Sequence, residues 1–112
     1  MGLASYLSGI LGEDKACAFL KKRKFEILER NFYCKFGEID IIAKKDDILH
    51  FIEVKFTEGN YELVERLNCK KYKKILKTIE FYKIKKGIFN DFQMDLICIK
   101  GDIVEFYENI SF

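Results

Sequence analysis

Four charged residues stand inside two apolar runs where packing alone gives no reason for them. The first run is Gly37-Glu38-Ile39-Asp40-Ile41-Ile42 and the second is Phe51-Ile52-Glu53-Val54-Lys55. Both read as strands, in which side chains two apart share a face. Glu38 then goes with Asp40, and Glu53 with Lys55. Between the runs, Lys45-Asp46-Asp47 is a polar turn signal. With Asp46-Asp47 as the central pair of a tight hairpin, Lys45 meets Ile48, and counting outward sets Asp40 opposite Glu53 and Glu38 opposite Lys55. A four-residue loop keeps these faces together; a three-residue loop does not.

Two carboxylates facing one another on a sheet repel, and burial makes the repulsion worse. A cation between them resolves the conflict. Carboxylate oxygens without His or Cys favour Mg²⁺ or Mn²⁺. Such an ion can engage a phosphate oxygen and activate water, while a nearby Lys orients that water or steadies the charge that develops on phosphate. These residue types suit hydrolysis of a phosphodiester. The competing explanation is a wetted sheet face carrying cross-strand ion pairs, of which Glu38 with Lys55 would be one.

The elements that must hold these residues follow from periodicity. Gly12-Glu13 opens a helix to about Lys24, with Ala16, Phe19 and Leu20 as its core stripe. Strands follow at Phe25–Phe32, Gly37–Lys44 and Ile48–Phe56. A long helix runs from about Glu62 to Lys86 and stops at Gly87, which serves as its C-cap. Two more strands, Phe92–Ile99 and Ile103–Tyr107, flank a Gly101-Asp102 turn. Helix, three strands, helix, two strands implies a mixed central sheet flanked by helices, in an α/β or α+β sandwich. The strand reached across the second helix can run parallel to its neighbour.

One domain over residues 1–112 fits the length, which suffices for a core without disulfides. Cys17, Cys34, Cys69 and Cys98 are widely spaced and, with His50 as the single histidine, form no familiar zinc pattern. They read as reduced, mostly buried thiols. His50 lies within an apolar strand, where packing explains it more simply than catalysis. No membrane-length apolar segment and no convincing signal peptide is present, so a cytoplasmic location is expected. The net charge is +2, but between Cys69 and Lys86 Lys70, Lys71, Lys73, Lys74, Lys77, Lys83, Lys85 and Lys86 face a single acid, Glu80. A basic stretch of this kind fits a polyanion partner, with a solvated helix face as the alternative.

An acid on the second strand followed by Glu-x-Lys on the third, after an opening helix, resembles the PD-(D/E)XK nuclease superfamily. More closely, the chain resembles the YraN-like bacterial family of endonuclease-related proteins. The matching residues are Gly12-Glu13, Ala16, Leu20, Asn31-Phe32, Gly37-Glu38-Ile39-Asp40, Phe51-Ile52-Glu53-Val54-Lys55 and the Lys-rich helix. The resemblance implies a restriction-endonuclease-like fold, similar to archaeal Holliday-junction resolvases. It implies Asp40 and Glu53 as metal ligands, with the Val54 carbonyl as a third, and Lys55 as the catalytic lysine. Glu13 matches an acid that related resolvases place near the metal; a first-turn Glu complementing a helix dipole is the other reading. Two departures stand out. Ile39 replaces the Pro of the superfamily name, and Phe56 follows the lysine where the family usually has Thr then Arg.

The expected function is therefore a Mg²⁺- or Mn²⁺-dependent endonuclease acting on DNA, including branched or junction DNA, with Lys70, Lys71 and Lys74 contacting nucleic acid. A homodimer would supply two sites for two strands. A non-catalytic nucleic-acid-binding module on the same scaffold is the alternative, since fold does not fix function. A protein-interaction domain with a merely solvated lysine helix is the third.

Overall fold

The computed structural model describes residues 3–56 and 69–110, with side chains described for 12–56 and 72–110. Helix α1 spans Leu3–Lys22. Strands β1 (Glu26–Cys34), β2 (Gly37–Lys45) and β3 (Ile48–Phe56) follow, then helix α2 (Cys69–Lys86) and strands β4 (Phe92–Lys100) and β5 (Ile103–Tyr107). The five strands form one sheet in the order β1-β2-β3-β4-β5. All neighbours are antiparallel except β3 and β4, which run parallel on either side of the α2 crossover. This is an α+β architecture with a mixed sheet between two helices, compatible with the restriction-endonuclease-like fold expected from sequence.

Each face of the sheet has its own core. Ala16, Cys17 and Leu20 of α1 pack against Ile41, Ala43, Ile52, Val54, Ile97 and Ile99. Ile75, Ile79 and Tyr82 of α2 pack against Phe32, Ile39, Ile42, Leu49, Phe51 and Met94 on the other side. Burial of such side chains supplies most of the drive to fold. The ends of both helices are closed in the same way. Ile88 N–H reaches the Lys83 carbonyl (3.0 Å) and Gly87 N–H the Ile84 carbonyl (3.3 Å), with Gly87 at φ 66°. Phe25 N–H and Lys24 N–H repeat that pattern on Leu20 and Lys21, with Lys24 at φ 72°. These are Schellman caps, which satisfy carbonyls the helix leaves open.

Helix α1 begins well before the expected Gly12-Glu13 start. Glycine in a helix interior costs about 1 kcal/mol against alanine, so Gly12 reads as a boundary. It stays because of a close approach: a Cβ there would lie 1.4 Å from Phe56 Cζ. The second helix is described from Cys69, and the stretch expected between Glu62 and Asn68 lies outside the described residues.

Candidate metal and phosphodiester site

The β2–β3 hairpin turns at Asp46 and Asp47, both with positive φ (52° and 67°), as a tight two-residue turn matching strand twist requires. Lys45 pairs with Ile48, and the ladder continues to Ile41 with Ile52. The register is the one expected, but pairing stops one step short of Asp40 and Glu53. Beyond Ile41 the Asp40 side chain takes over, its Oδ2 accepting the Val54 backbone N–H at 2.8 Å. Asp40 and Glu53 therefore flank the place where two strands stop pairing, rather than forming one more ladder pair.

Asp40 also marks a change of side. Ile41 packs under α1 and Ile39 under α2, although strict alternation would put both on one face. The neighbouring strand does the same. Arg30 reaches the acids of α1, while Phe32 packs on Tyr82 of α2. Between them Asn31 sits at φ 54°, and Arg30 pairs with Ile41 and Phe32 with Ile39, so Asn31 lies across from Asp40. Glu38 is exposed and Asp40 half-buried, and the charge of Glu38 is felt at Asp40.

The electrostatics at Asp40 are those of a carboxylate in a poor place for charge. Burial raises its pKa from 3.8 to about 6; the Val54 N–H opposes the rise, and the charges of Glu53, Glu13 and Glu38 add to it. Lys55 Nζ lies 3.2 Å from Glu53 Oε1, and both side chains are largely sheltered. Glu13 is held from two sides. Asn31 Nδ2 donates to its Oε2 at 3.0 Å, and Arg30 stands 3.8 Å from the same oxygen while bonding Asp14 at 2.8 Å.

Among the described residues, no three His, Cys, Asp or Glu side chains stand together as a ready cage for a metal ion. The donor set that is present is two hard carboxylates at the strand opening, with a third acid, Glu13, close enough to be felt at Asp40. That set fits Mg²⁺ or Mn²⁺, which commonly take one or two protein carboxylates and fill the remaining positions with water and substrate phosphate.

The chain from Gly12 to Ile99 matches the model of the uncharacterised protein family UPF0102. The chain belongs to this family. Family proteins of Campylobacter jejuni subsp. doylei and Campylobacter lari are 72% and 62% identical to it over 112 residues, covering both chains fully. A family protein of Campylobacter fetus is 53% identical, again end to end.

Of the lysines expected to meet nucleic acid, Lys74 is exposed on α2, as is Lys73. Lys70 and Lys71 lie in the first turn of α2, and their side chains are outside the described residues. Further along, Lys83 Nζ donates to the Asn90 carbonyl and lies over the Phe92 ring, and Lys86 reaches Glu29 at 4.0 Å. The described part of the basic stretch thus divides into the exposed Lys73 and Lys74 and an end partly engaged by its own fold.

A polar group that sequence reasoning missed lies elsewhere. His50 Nδ1–H donates to Asp95 Oδ2 at 2.6 Å, with both side chains almost fully buried. Gln93 Nε2 and the Asn109 N–H donate to the other oxygen, each at 2.8 Å. Phe25 meets the His50 ring edge-to-face. This cluster ties the segment after β5 to the centre of the sheet. His50 and Asp95 are too buried to meet a polymer substrate, as the packing reading of His50 expects. Cys17, Cys34 and Cys98 are free thiols; burial raises the pKa of Cys17 and lifts that of Cys98 to about 11, which leaves those two poor nucleophiles. Among the described residues, no helix is long and apolar enough to cross a membrane.

Proposed function

We propose that this protein is a divalent-metal-dependent endonuclease of the PD-(D/E)XK type that hydrolyses DNA phosphodiester bonds, structure-selective for branched or junction DNA. The observation that carries the reading is the placement of Asp40 and Glu53 on either side of the β2–β3 opening, with Lys55 beside Glu53. Asp40 and Glu53 would hold Mg²⁺ or Mn²⁺; when bound, the ion supplies Lewis acidity toward phosphate and a more acidic water. The Val54 N–H fixes one Asp40 oxygen and so orients the carboxyl group. Lys55, 3.2 Å from Glu53, offers its ammonium to the attacking water or to a phosphoryl oxygen. The lysines at the start of α2, of which Lys73 and Lys74 are exposed, attract the backbone without reading sequence.

One observation favours a second reading, a non-catalytic nucleic-acid-binding module: the Lys55–Glu53 pair at 3.2 Å satisfies both charges without a metal. The two are separated by incubating the protein with single-stranded, duplex, flap and four-way-junction DNA in Mn²⁺ or in EDTA. The nuclease reading expects cleavage in Mn²⁺, strongest on a branched substrate and abolished by EDTA. Binding without cleavage on every substrate supports the second reading and overturns the first.

A further inference from the structure

Glu13 and Asn31 are eighteen positions apart in sequence and on different elements, yet they meet through a 3.0 Å hydrogen bond beside the β2–β3 opening. We propose that Asn31 is a positioning residue that aims the Glu13 carboxylate toward Asp40, so that Glu13 holds the water shell of the metal ion. The inference rests on the metal-site reading above and adds to it a residue that touches neither metal nor substrate.

Three independent features converge on this role. Asn31 holds a left-handed backbone (φ 54°), a conformation that Asn tolerates better than other residues with a side chain. That conformation occurs where β1 changes sides, across from Asp40, so the kink that turns the strand also brings the amide to the helix. On the helix side, Gly12 allows α1 to lie against Phe56, the residue after Lys55, which brings Glu13 to the same end of the sheet. Arg30 is a poorer candidate for the role. Its short contact is with Asp14, at 2.8 Å, and it stands 3.8 Å from Glu13. Outer residues that orient metal-site carboxylates typically change metal affinity by 10–100-fold when removed.

The test is Mn²⁺ affinity by calorimetry, together with melting in EDTA, for wild type, Asn31→Gly, Glu13→Gln and the double variant. Asn31→Gly keeps the left-handed backbone accessible and removes only the amide. A positioning role predicts near wild-type melting in EDTA and Mn²⁺ binding weakened by roughly tenfold or more. Glu13→Gln, which keeps an oxygen acceptor for the amide, weakens binding comparably, and the double variant falls no further than the worse single. If Asn31→Gly lowers the EDTA melt yet binds Mn²⁺ as wild type does, Asn31 is only a tether between helix and sheet. Unaltered Mn²⁺ binding by Glu13→Gln overturns the inference even if Asn31→Gly fails to fold. Wild type that binds no Mn²⁺ overturns both this inference and the metal-site reading.

Discussion

Asp40 Oδ2 accepts the Val54 backbone N–H at 2.8 Å where β2 and β3 cease to pair, so an acidic side chain takes the place of a ladder hydrogen bond. An amide oxygen could accept the same bond, whereas the negative charge is disfavoured by burial first and by Glu53, Glu13 and Glu38 in addition. Asp40→Asn is therefore expected to stabilise the metal-free protein. The sign follows from linkage. A carboxyl whose folded pKa is raised to about 6 from 3.8 binds more protons folded than unfolded between those values, so wild-type stability falls as pH rises through that window. The difference from Asp40→Asn should be near zero below pH 4 and level off above about pH 6, at up to about 3 kcal/mol. Melts in EDTA from pH 3.5 to 8 measure it. A variant less stable than wild type at pH 8 would make Asp40 a structural ion-pair partner.

Lys55 has no lone pair to give a metal while it is charged, so its part lies in the reaction. Lys55→Ala is expected to keep Mn²⁺ binding and lose DNA cleavage by about 10²-fold or more. Full activity in Lys55→Ala would remove the lysine from the mechanism. Loss of Mn²⁺ binding would instead mean that Lys55 shapes Glu53 through their 3.2 Å contact.

Binding to duplex DNA should weaken with salt in proportion to the phosphates engaged. About four contacts give a log–log slope near −3.6. Replacing Lys70, Lys71 and Lys74 together with Ala should flatten the slope by roughly 2–3 units. An unchanged slope would return this part of α2 to the role of a solvated helix face.

The fold was readable because its signals are local and consistent. The turns at Asp46-Asp47 and Gly101-Asp102, the Gly87 cap and the β3 and β5 limits all lie where residue types placed them. The β2–β3 register followed from the turn, and it brought Asp40 and Glu53 to the same place. Long-range consequences were hidden. Alternation alone cannot reveal that β1 and β2 change sides at Asn31 and Asp40, because the break needs a left-handed residue in one strand matched to the other. Gly12 reads as a helix boundary until Phe56 is seen against it. His50 and Asp95 lie 45 residues apart, and only the parallel pairing of β3 with β4 brings them together. A lone His and a lone Asp inside apolar strands were the available signal for that pair.

That buried pair gives a prediction about stability rather than chemistry. His50→Ala removes one of three donors from an Asp95 side chain with no solvent access and opens a gap beside Phe25. The expected cost is about 3 kcal/mol, read by urea unfolding, with the melting response to Mn²⁺ retained. If stability held while cleavage vanished, His50 would be part of the catalytic machinery and the packing reading would be wrong.

The most direct test of a cation shared by Asp40 and Glu53 is a set of thermal melts, with EDTA and with millimolar Mn²⁺, for wild type, Asp40→Asn and Glu53→Gln. An ion that binds only the folded chain at a hundredfold excess over its dissociation constant contributes roughly 2.7 kcal/mol. For a domain of this size that raises the melting temperature by on the order of 10 °C. Wild type should show this rise, and both variants should lose most of it while remaining folded in EDTA. A wild type whose melting temperature is the same in Mn²⁺ as in EDTA would contradict the account.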